Sequence, residues 1–533
     1  MSEKMSEKKI ITRATGVLGG ATLLSRISGL VRDVVIGRMF GAGFATDAFF
    51  MAFTLPNLLR RFFAEGSLTA AFVPTYSDVY HRQGREEAIR VGNICFTLLL
   101  LIMAGVTLVG IVGSPWLVQT IGYGFRDIEG KLALTDMLNR IMFPYIFFVS
   151  LLALLTGRLN VHGHYFVPAL SPVMLNLAMV AGAALLSPFF DPPIKALAVG
   201  VLLGGVLQLL MQGPILRRYG ILPRLDFHWR HPAVRRIGKL MLPGVIGVAI
   251  YQINVVVTRI LASFLPEGSV SYLYYGQRLF EFPQGIFILS LAQAVLPSMS
   301  RQASAGDEAG LRESLDFALR LIAVVTLPAA LGLMLCAVPI YSLLFLSETF
   351  DYGAVRHTSA ALIAYAPGLF FLGIARVIVP TFYAMKDTRT PVRISFWTLL
   401  LNAALGLLLM QPLGHVGLAL ALTLATCGNC LLLVWALRRK LGALGLRRLA
   451  GCCLRLVLPL LAMTAVVVPL LNLADWQVLG AAAFWQKCLV LLSAITAGML
   501  VYVLGCLGAG VQEVREGWAL VRRKLTRRSG RGS

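Results

Sequence analysis

The sequence predicts an all-α polytopic membrane protein of about fourteen transmembrane helices, and three observations predict it. Of 533 residues, 57 % are hydrophobic and only 14 % charged, with a mean hydropathy of +0.77, whereas soluble domains run near half apolar and a quarter charged. Apolar runs of about 20 residues, the length a helix needs to cross a bilayer core, recur from one end of the chain to the other with no linker that would separate soluble domains. The third observation is where the Lys and Arg sit. The net charge of +23 would suggest nucleic acid in a soluble protein, but the basic residues fall mostly on one side of the expected spans.

The expected spans are 16–40, 45–63, 94–112, 141–156, 167–186, 196–211, 240–265, 270–295, 321–344, 360–384, 394–410, 416–437, 453–471 and 488–507. With the N-terminus cytoplasmic, the inner segments carry 33 Lys and Arg, seven of them (Arg217, Arg218, Arg224, Arg230, Arg235, Arg236 and Lys239) in one loop. The outer side carries six: Arg126, Lys131, Arg140, Lys195, Arg356 and Lys487. That bias places both termini inside and accounts for the charge without nucleic acid. The remaining nine, Arg26, Arg32, Arg38, Arg60, Arg61, Arg259, Arg278, Arg376 and Arg455, lie in or beside spans, and every one is Arg.

The first span is apolar on one face and polar on the other. Ser25 and Arg32 lie seven residues apart, as do Arg26 and Asp33, so each pair stacks on one side of a helix, and Gly29 and Gly37 share that side. Asp47 opens the second span, which ends in Arg60-Arg61 shortly before Glu65. The chain echoes itself: Pro144-Tyr-Ile-Phe147-Phe148 matches Pro367-Gly-Leu-Phe370-Phe371, and Leu175-Asn176 matches Leu401-Asn402, while Val73-Pro74 matches Leu296-Pro297. Offsets of 223 to 226 residues imply two related lobes, 14–225 and 226–440, the second preceded by the basic loop. Six spans each give both lobes the same orientation, hence a pseudo-twofold axis along the membrane normal and a site between the lobes. In the second lobe Arg278 and Glu281 occupy the stretch Tyr274-Tyr275-Gly-Gln-Arg278-Leu-Phe-Glu281, and Arg376 adds another cation. The last two spans, within 450–508, contain almost nothing polar. The tail 509–533 carries Arg522, Arg523, Lys524, Arg527 and Arg528, a basic segment suited to anionic lipid.

An Arg at the centre of a membrane helix costs about 2.5–3.5 kcal/mol on insertion scales, so it faces a cavity or a partner. One reading pairs these arginines with Asp33, Asp47, Glu65 and Glu281 in ion pairs that only orient helices. Against it stands the count: Arg26, Arg32, Arg60, Arg278 and Arg376 outnumber those carboxylates. Their planar forks suit phosphate oxygens better than an ammonium would. The inference is an anionic, phosphate-bearing substrate. Signals of an enzyme are absent. There is no G-x-x-x-x-G-K-[ST] loop, and the seven His sit in loops or at span ends without ligand spacing. The eight Cys, none in an outer loop, imply no disulfide, and Cys427-Gly-Asn-Cys430 reads as small-residue helix packing. The basic residues before the first apolar stretch resemble a signal peptide, yet Arg26, Arg32 and Asp33 interrupt it, so the segment is expected to be retained. Without an ATPase, active movement must draw on the membrane potential or a monovalent-ion gradient.

Ser25-Arg26-Ile-Ser-Gly29-Leu-Val-Arg32-Asp33, Ala45-Thr-Asp47-Ala-Phe-Phe50 and Leu55-Pro-Asn-Leu-Leu-Arg60-Arg61-Phe-Phe-Ala-Glu65-Gly66 closely resemble motifs of the MurJ (MviN) family of lipid II flippases. The likeness continues through Phe166-Val-Pro168-Ala-Leu-Ser-Pro172-Val-Met-Leu-Asn176, Tyr275 to Pro283 and Pro412-Leu-Gly-His-Val-Gly417, so it covers nearly the whole chain. It implies a transporter of the multidrug/oligosaccharidyl-lipid/polysaccharide superfamily in the bacterial inner membrane, carrying the undecaprenyl-diphosphate-linked peptidoglycan precursor outward for cell-wall biogenesis and cell shape. It implies Arg26, Arg32, Arg60 and Arg278 as substrate-binding residues, with Ser25, Asp33, Asp47, Glu65, Glu281 and Arg376 supporting them, and the last two helices as a groove for the polyprenyl tail. Some members bind sodium through carboxylates and an Asn. Here Gln252-Ile-Asn254-Val-Val-Val-Thr258 has Thr where an Asp is expected, and Asn402 is the remaining candidate ligand, so a complete sodium site is not expected. The expected partners are lipid II and membrane lipids, with no nucleic acid and no cofactor, and the chain is expected to act as a monomer. The competing readings are a flippase for another polyprenyl-linked oligosaccharide, a drug/cation antiporter of the same superfamily with an acidic cavity, and a non-transporting scaffold for cell-wall enzymes.

Overall fold

The computed structural model describes residues 2–63 and 67–515. Glu65 and Arg522, Arg523, Lys524, Arg527 and Arg528 of the tail therefore lie outside the described residues. Among those described the chain is helical, without strands. It divides into two compact units, Met1–Ser271 and Tyr272–Ser533.

The first unit holds α1 (Ser2–Phe40), α2 (Phe44–Phe63), α3 (Ser67–Gln83), α4 (Arg85–Val112), α5 (Ser114–Ile121), α6 (Lys131–Met142), α7 (Tyr145–Val161), α8 (Phe166–Ala181), α9 (Ile194–Arg218) and α10 (Pro232–Ser263). Gly41, at φ 69°, takes the left-handed conformation that closes a helix and separates α1 from α2. Thr46 then receives the Gly43 N–H at 2.9 Å as α2 begins. The unit's core gathers Phe72 and Tyr76 of α3, Val91 and Met103 of α4 and Ile146 and Leu154 of α7, with Ala233 and Ile237 of α10. α8 and α9 approach backbone to backbone: a Cβ added to Gly200 would stand 2.9 Å from the Ala178 carbonyl oxygen. Small residues at a crossing substitute for the hydrophobic drive that lipid does not supply.

The second unit holds α11 (Ser269–Pro283), which enters from the first, α12 (Leu289–Ser304), α13 (Glu308–Leu335), α14 (Ala337–Phe345), α15 (Tyr352–Tyr365), α16 (Gly368–Ala384), α17 (Arg389–Leu441), α18 (Leu446–Leu471) and α19 (Ala481–Gly508). Pro283 lacks the N–H that would continue a regular turn, and a π-helical turn, Gln284–Ile288, follows it and joins α11 to α12. α17 is two antiparallel helices joined at Gly414, whose φ of 57° breaks the run. Thr398 donates to Asn429 at 3.1 Å across the two arms, and Lys440 at the far end bonds Asp387 just before the start. α18 and α19 pack on each other, and the Tyr502 hydroxyl of α19 donates to the Val324 carbonyl of α13 at 2.7 Å.

Nine helices among the described residues are long and apolar enough to cross a membrane, and the bent pair Tyr352–Tyr365 with Gly368–Ala384 makes a tenth. The Gly414 hairpin makes two spans of one. The expected spans 16–40, 45–63 and 240–265 fall on α1, α2 and α10, whereas 141–156, 321–344 and 360–384 each run across a break between two helices, at 143–144, 336 and 366–367. The fold is the all-helical polytopic one that composition predicts.

Asp387 anchors the base of the α17 hairpin outside the spans. Burial pushes its carboxyl up, but hydrogen bonds from Lys440 and Thr390 and the Lys440 charge outweigh that and hold it well below the usual carboxylate range. A depressed carboxylate contributes stability above its unfolded pKa and loses it as pH falls through the folded value. Asp387→Asn should therefore lower thermal stability by about 1 kcal/mol at neutral pH. In unfolding scans against pH the gap between parent and variant should close below the ordinary carboxylate range; a gap independent of pH would contradict the clamp.

Candidate functional site

A polar seam joins α1 to α8. Ser25, Ser28, Gly29 and Arg32 recur at the three- and four-residue spacing that aligns one face of α1, and Asn176 of α8 settles against them. The Asn176 amide donates to the Ser28 hydroxyl at 2.8 Å and to the Ser25 carbonyl at 3.4 Å. Its side-chain oxygen accepts from Arg32 Nη1 at 2.9 Å. A Cβ on Gly29 would stand 3.6 Å from the Asn176 Nδ2, so the absence of a side chain there leaves α1 open to the amide. Arg32 closes the seam: its Nε and Nη2 both donate to Asp33 Oδ1, at 2.9 and 2.7 Å. Both residues are buried, Arg32 at 7 % exposure. The fork thus spends one edge on a carboxylate and the other on an amide, a division that one ammonium cannot copy. Arg26, on the adjacent stripe, is half-buried.

A second cluster surrounds Asp47, 1 % exposed on α2. Lys131 Nζ of α6 lies 3.0 Å from its Oδ2, and the Gly268 amide donates to the same oxygen at 2.8 Å. The other oxygen accepts from the Ser271 amide at 2.9 Å and its hydroxyl at 2.7 Å. The carboxylate therefore caps the N-terminal end of α11, where unsatisfied N–H groups and the helix dipole favour an anion. The Lys131 ammonium also stands 4.4 Å from the centre of the Phe125 ring. Next to this cluster Glu267 accepts from the Phe44 amide at 2.6 Å.

Arg60, at the end of α2, donates to Asn57 at 3.1 Å. In the second unit Arg278 donates to Glu281 at 3.1 Å and to the Tyr274 hydroxyl at 2.8 Å, with its guanidinium 4.8 Å from the Tyr274 ring centre. Arg376 is exposed on α16 and Asn402 buried on α17. Among the described residues no group of three His, Cys, Asp or Glu could hold a metal ion.

The structure thus brings Ser25, Arg32 and Asp33 into one network, sets Asp47 in another, and places Arg278 with Glu281. Three participants escaped the sequence reading. Lys131, expected in an outer segment, is buried, and the buried positions Lys131, Leu134, Thr135, Leu138, Asn139 and Met142 follow a helical stripe that reveals it. Asn176 stood only as a motif and repeat residue. Arg158, counted among the cytoplasmic cations, is fully buried on α7, donating to Asn93 at 3.3 Å and packed with Tyr76 against Gly92.

Comparison with known proteins adds the wider context. A family model described as "Lipid II flippase MurJ" matches residues 36–501. The lipid II flippase MurJ of Burkholderia cenocepacia is 35 % identical over 506 residues, covering 92 % of this chain and 97 % of its own. The probable lipid II flippase MurJ of Vibrio cholerae is 36 % identical over 520 residues, covering 96 % and 98 %. Among solved structures, "Lipid II flippase MurJ, inward closed conformation" superposes with a TM-score of 0.75 at 28 % identity, over 92 % of this chain and 97 % of that one. An inward-facing MATE-family transporter of the MOP superfamily gives a TM-score of 0.67 at 15 % identity, over 80 % and 98 %, which shows a shared fold.

Proposed function

The chain belongs to the lipid II flippase MurJ family, and from that premise we propose that it moves lipid II from the inner to the outer leaflet by alternating access. It is a multi-pass transporter and no enzyme. The observation that carries the head-group part of this reading is the polar seam of α1: a membrane helix that commits Ser25, Arg26, Ser28, Arg32 and Asp33 to a stretch whose other face is apolar. Burying that seam costs free energy that an orienting role alone could avoid with apolar residues.

In this reading the diphosphate enters from the cytoplasmic side and is held by Arg26, Arg32, Arg60 and Arg278, while the polyprenyl tail stays in lipid beside the helices of 450–508. Asp33 and Asn176 hold the Arg32 fork in orientation, and Glu281 does so for Arg278. The two repeats, 14–225 and 226–440, rock about the site, with both termini inside as the basic segments imply. The Asp47–Lys131 pair holds residues 268–271, at the start of α11, on α2. Return of the empty cationic site is favoured by the membrane potential, at about 2.3 kcal/mol per charge per 100 mV, without a cofactor. The protein acts as a monomer.

The test is outer-leaflet exposure of lipid II in bacteria depleted of their own flippase. The parent should restore exposure, and Arg26→Ala with Arg60→Ala should reduce it at least tenfold if each removes a charge-assisted phosphate contact worth about 1.5–3 kcal/mol. Restoration by that variant would remove the two arginines from the site. Failure of the membrane-inserted parent would point to a different polyprenyl-linked saccharide.

A further inference from the structure

The connection from α9 to α10 is an extended strap laid against α4, and its two edges differ. On the inner edge the Arg224 amide donates to Asn93 Oδ1 at 3.3 Å and the Asp226 amide to Thr97 Oγ1 at 2.8 Å. Asn93 also receives the buried Arg158, so the strap is tied through one amide to the interior of the bundle. Its ends are fixed as well: Arg85 donates to the Tyr219 carbonyl at 2.6 Å, and His231 lies 2.9 Å from Glu87. Ile221 is buried against Leu155, Leu159 and Leu216.

Away from α4 the strap is exposed, and Arg224, His228 and Arg230 reach outward alongside three large apolar side chains. Leu225, Phe227 and Trp229 are 62, 55 and 54 % exposed, and the Phe227 and Trp229 rings meet edge to face at 6.5 Å. Solvent-exposed apolar side chains on a segment held this firmly need a partner. Asn93 and Thr97 lie 8 and 12 residues inside α4, about 12–18 Å along its axis at 1.5 Å per residue. Val91 to Cys95, Thr97 and Leu99 of α4 are buried, whereas Leu101, Ile102, Leu108, Val109 and Val112 further along the same helix are exposed, as lipid-facing residues are. The strap therefore continues a lipid-facing surface. From Arg217 to Lys239 the chain holds seven Lys and Arg against one acid, Asp226.

We propose that residues 222–230 are an in-plane membrane anchor, seating Leu225, Phe227 and Trp229 at the headgroup–acyl boundary of an anionic leaflet, with Arg224 and Arg230 on phospholipid phosphates. Aromatic side chains prefer that boundary, and basic residues near it are attracted to anionic lipid. The assignment of this leaflet as the cytoplasmic one rests on the orientation given under the proposed function; binding itself does not.

The test uses the full chain in vesicles whose lipids carry bromine near the headgroup end of the acyl chain, of phosphatidylcholine alone or mixed with phosphatidylglycerol. Tryptophan emission of the parent minus that of Trp229→Phe isolates Trp229. Bromolipid should quench this difference signal, aqueous iodide should not, and quenching should be several-fold stronger with phosphatidylglycerol. Arg224→Gln and Arg230→Gln should each reduce that preference about fivefold. Quenching by iodide and not by bromolipid overturns the anchor and favours a soluble protein partner. Equal quenching in both vesicles overturns the anionic selection. Neither readout requires transport, and both leaflets carry the probe, so failure here is distinct from failure of the flippase reading.

Discussion

Lys131→Met should cost about 3–5 kcal/mol of stability and abolish transport, because it leaves the Asp47 carboxylate charged inside the protein without its ammonium. The amides of Gly268 and Ser271 and the Ser271 hydroxyl remain as donors, but dipoles alone do not neutralise a buried charge. Asp47→Asn should be nearly as damaging for the converse reason, since it strands the ammonium. The double variant, with neither charge, should recover part of the loss, and that recovery separates a charge effect from a packing effect. Thermal unfolding of the purified protein in detergent gives the stability, and outer-leaflet lipid II exposure gives the transport. A Lys131→Met protein as stable as the parent would show that the pair carries no such energy.

Arg32→Lys should fail as completely as Arg32→Ala in the transport assay, although it keeps the charge. A lysine can reach Asp33 or Asn176 but cannot present the two edges that now serve both. It would leave a buried acceptor unmet, at about 1–3 kcal/mol. Asn176→Leu should then reproduce part of the transport loss without changing any charge, because it frees the Arg32 fork from α8. If Arg32→Lys transports at the parental rate, the geometry of the fork is irrelevant and only its charge counts.

The elements of this fold were legible because a lipid solvent leaves few choices. Backbone groups must pair within the segment, so every long apolar run had to be helical, although 141–156, 321–344 and 360–384 are each divided between two helices. The polar stripe of α1 was equally readable, since Ser25, Arg26, Arg32 and Asp33 are separated by helical intervals. What the sequence concealed were partners from distant elements. Nothing local to Asp47 announces Lys131, 84 residues away, and nothing local to Arg32 announces Asn176, 144 residues away. Arg158 was hidden for a different reason: a cation just beyond an apolar run looks like the start of a loop until the helix is seen to continue through it to Val161.

The chain order of these buried charges matters for how the protein is made. Translation delivers the N-terminal elements first. Asn93 and Tyr76 have therefore left the ribosome before Arg158 follows, and Asp47 precedes Lys131. Arg32 is the exception, for Asn176 comes far later, but Asp33 is its immediate neighbour and emerges with it. Each of these cations thus enters the bilayer with an acceptor already synthesised or just behind it, and the insertion cost of about 2.5–3.5 kcal/mol that a solitary Arg would meet is relieved during biogenesis rather than after it. A circular permutant that made α7 before α3 and α4 would lose this sequence of arrivals and would meet the cost of Arg158 in full.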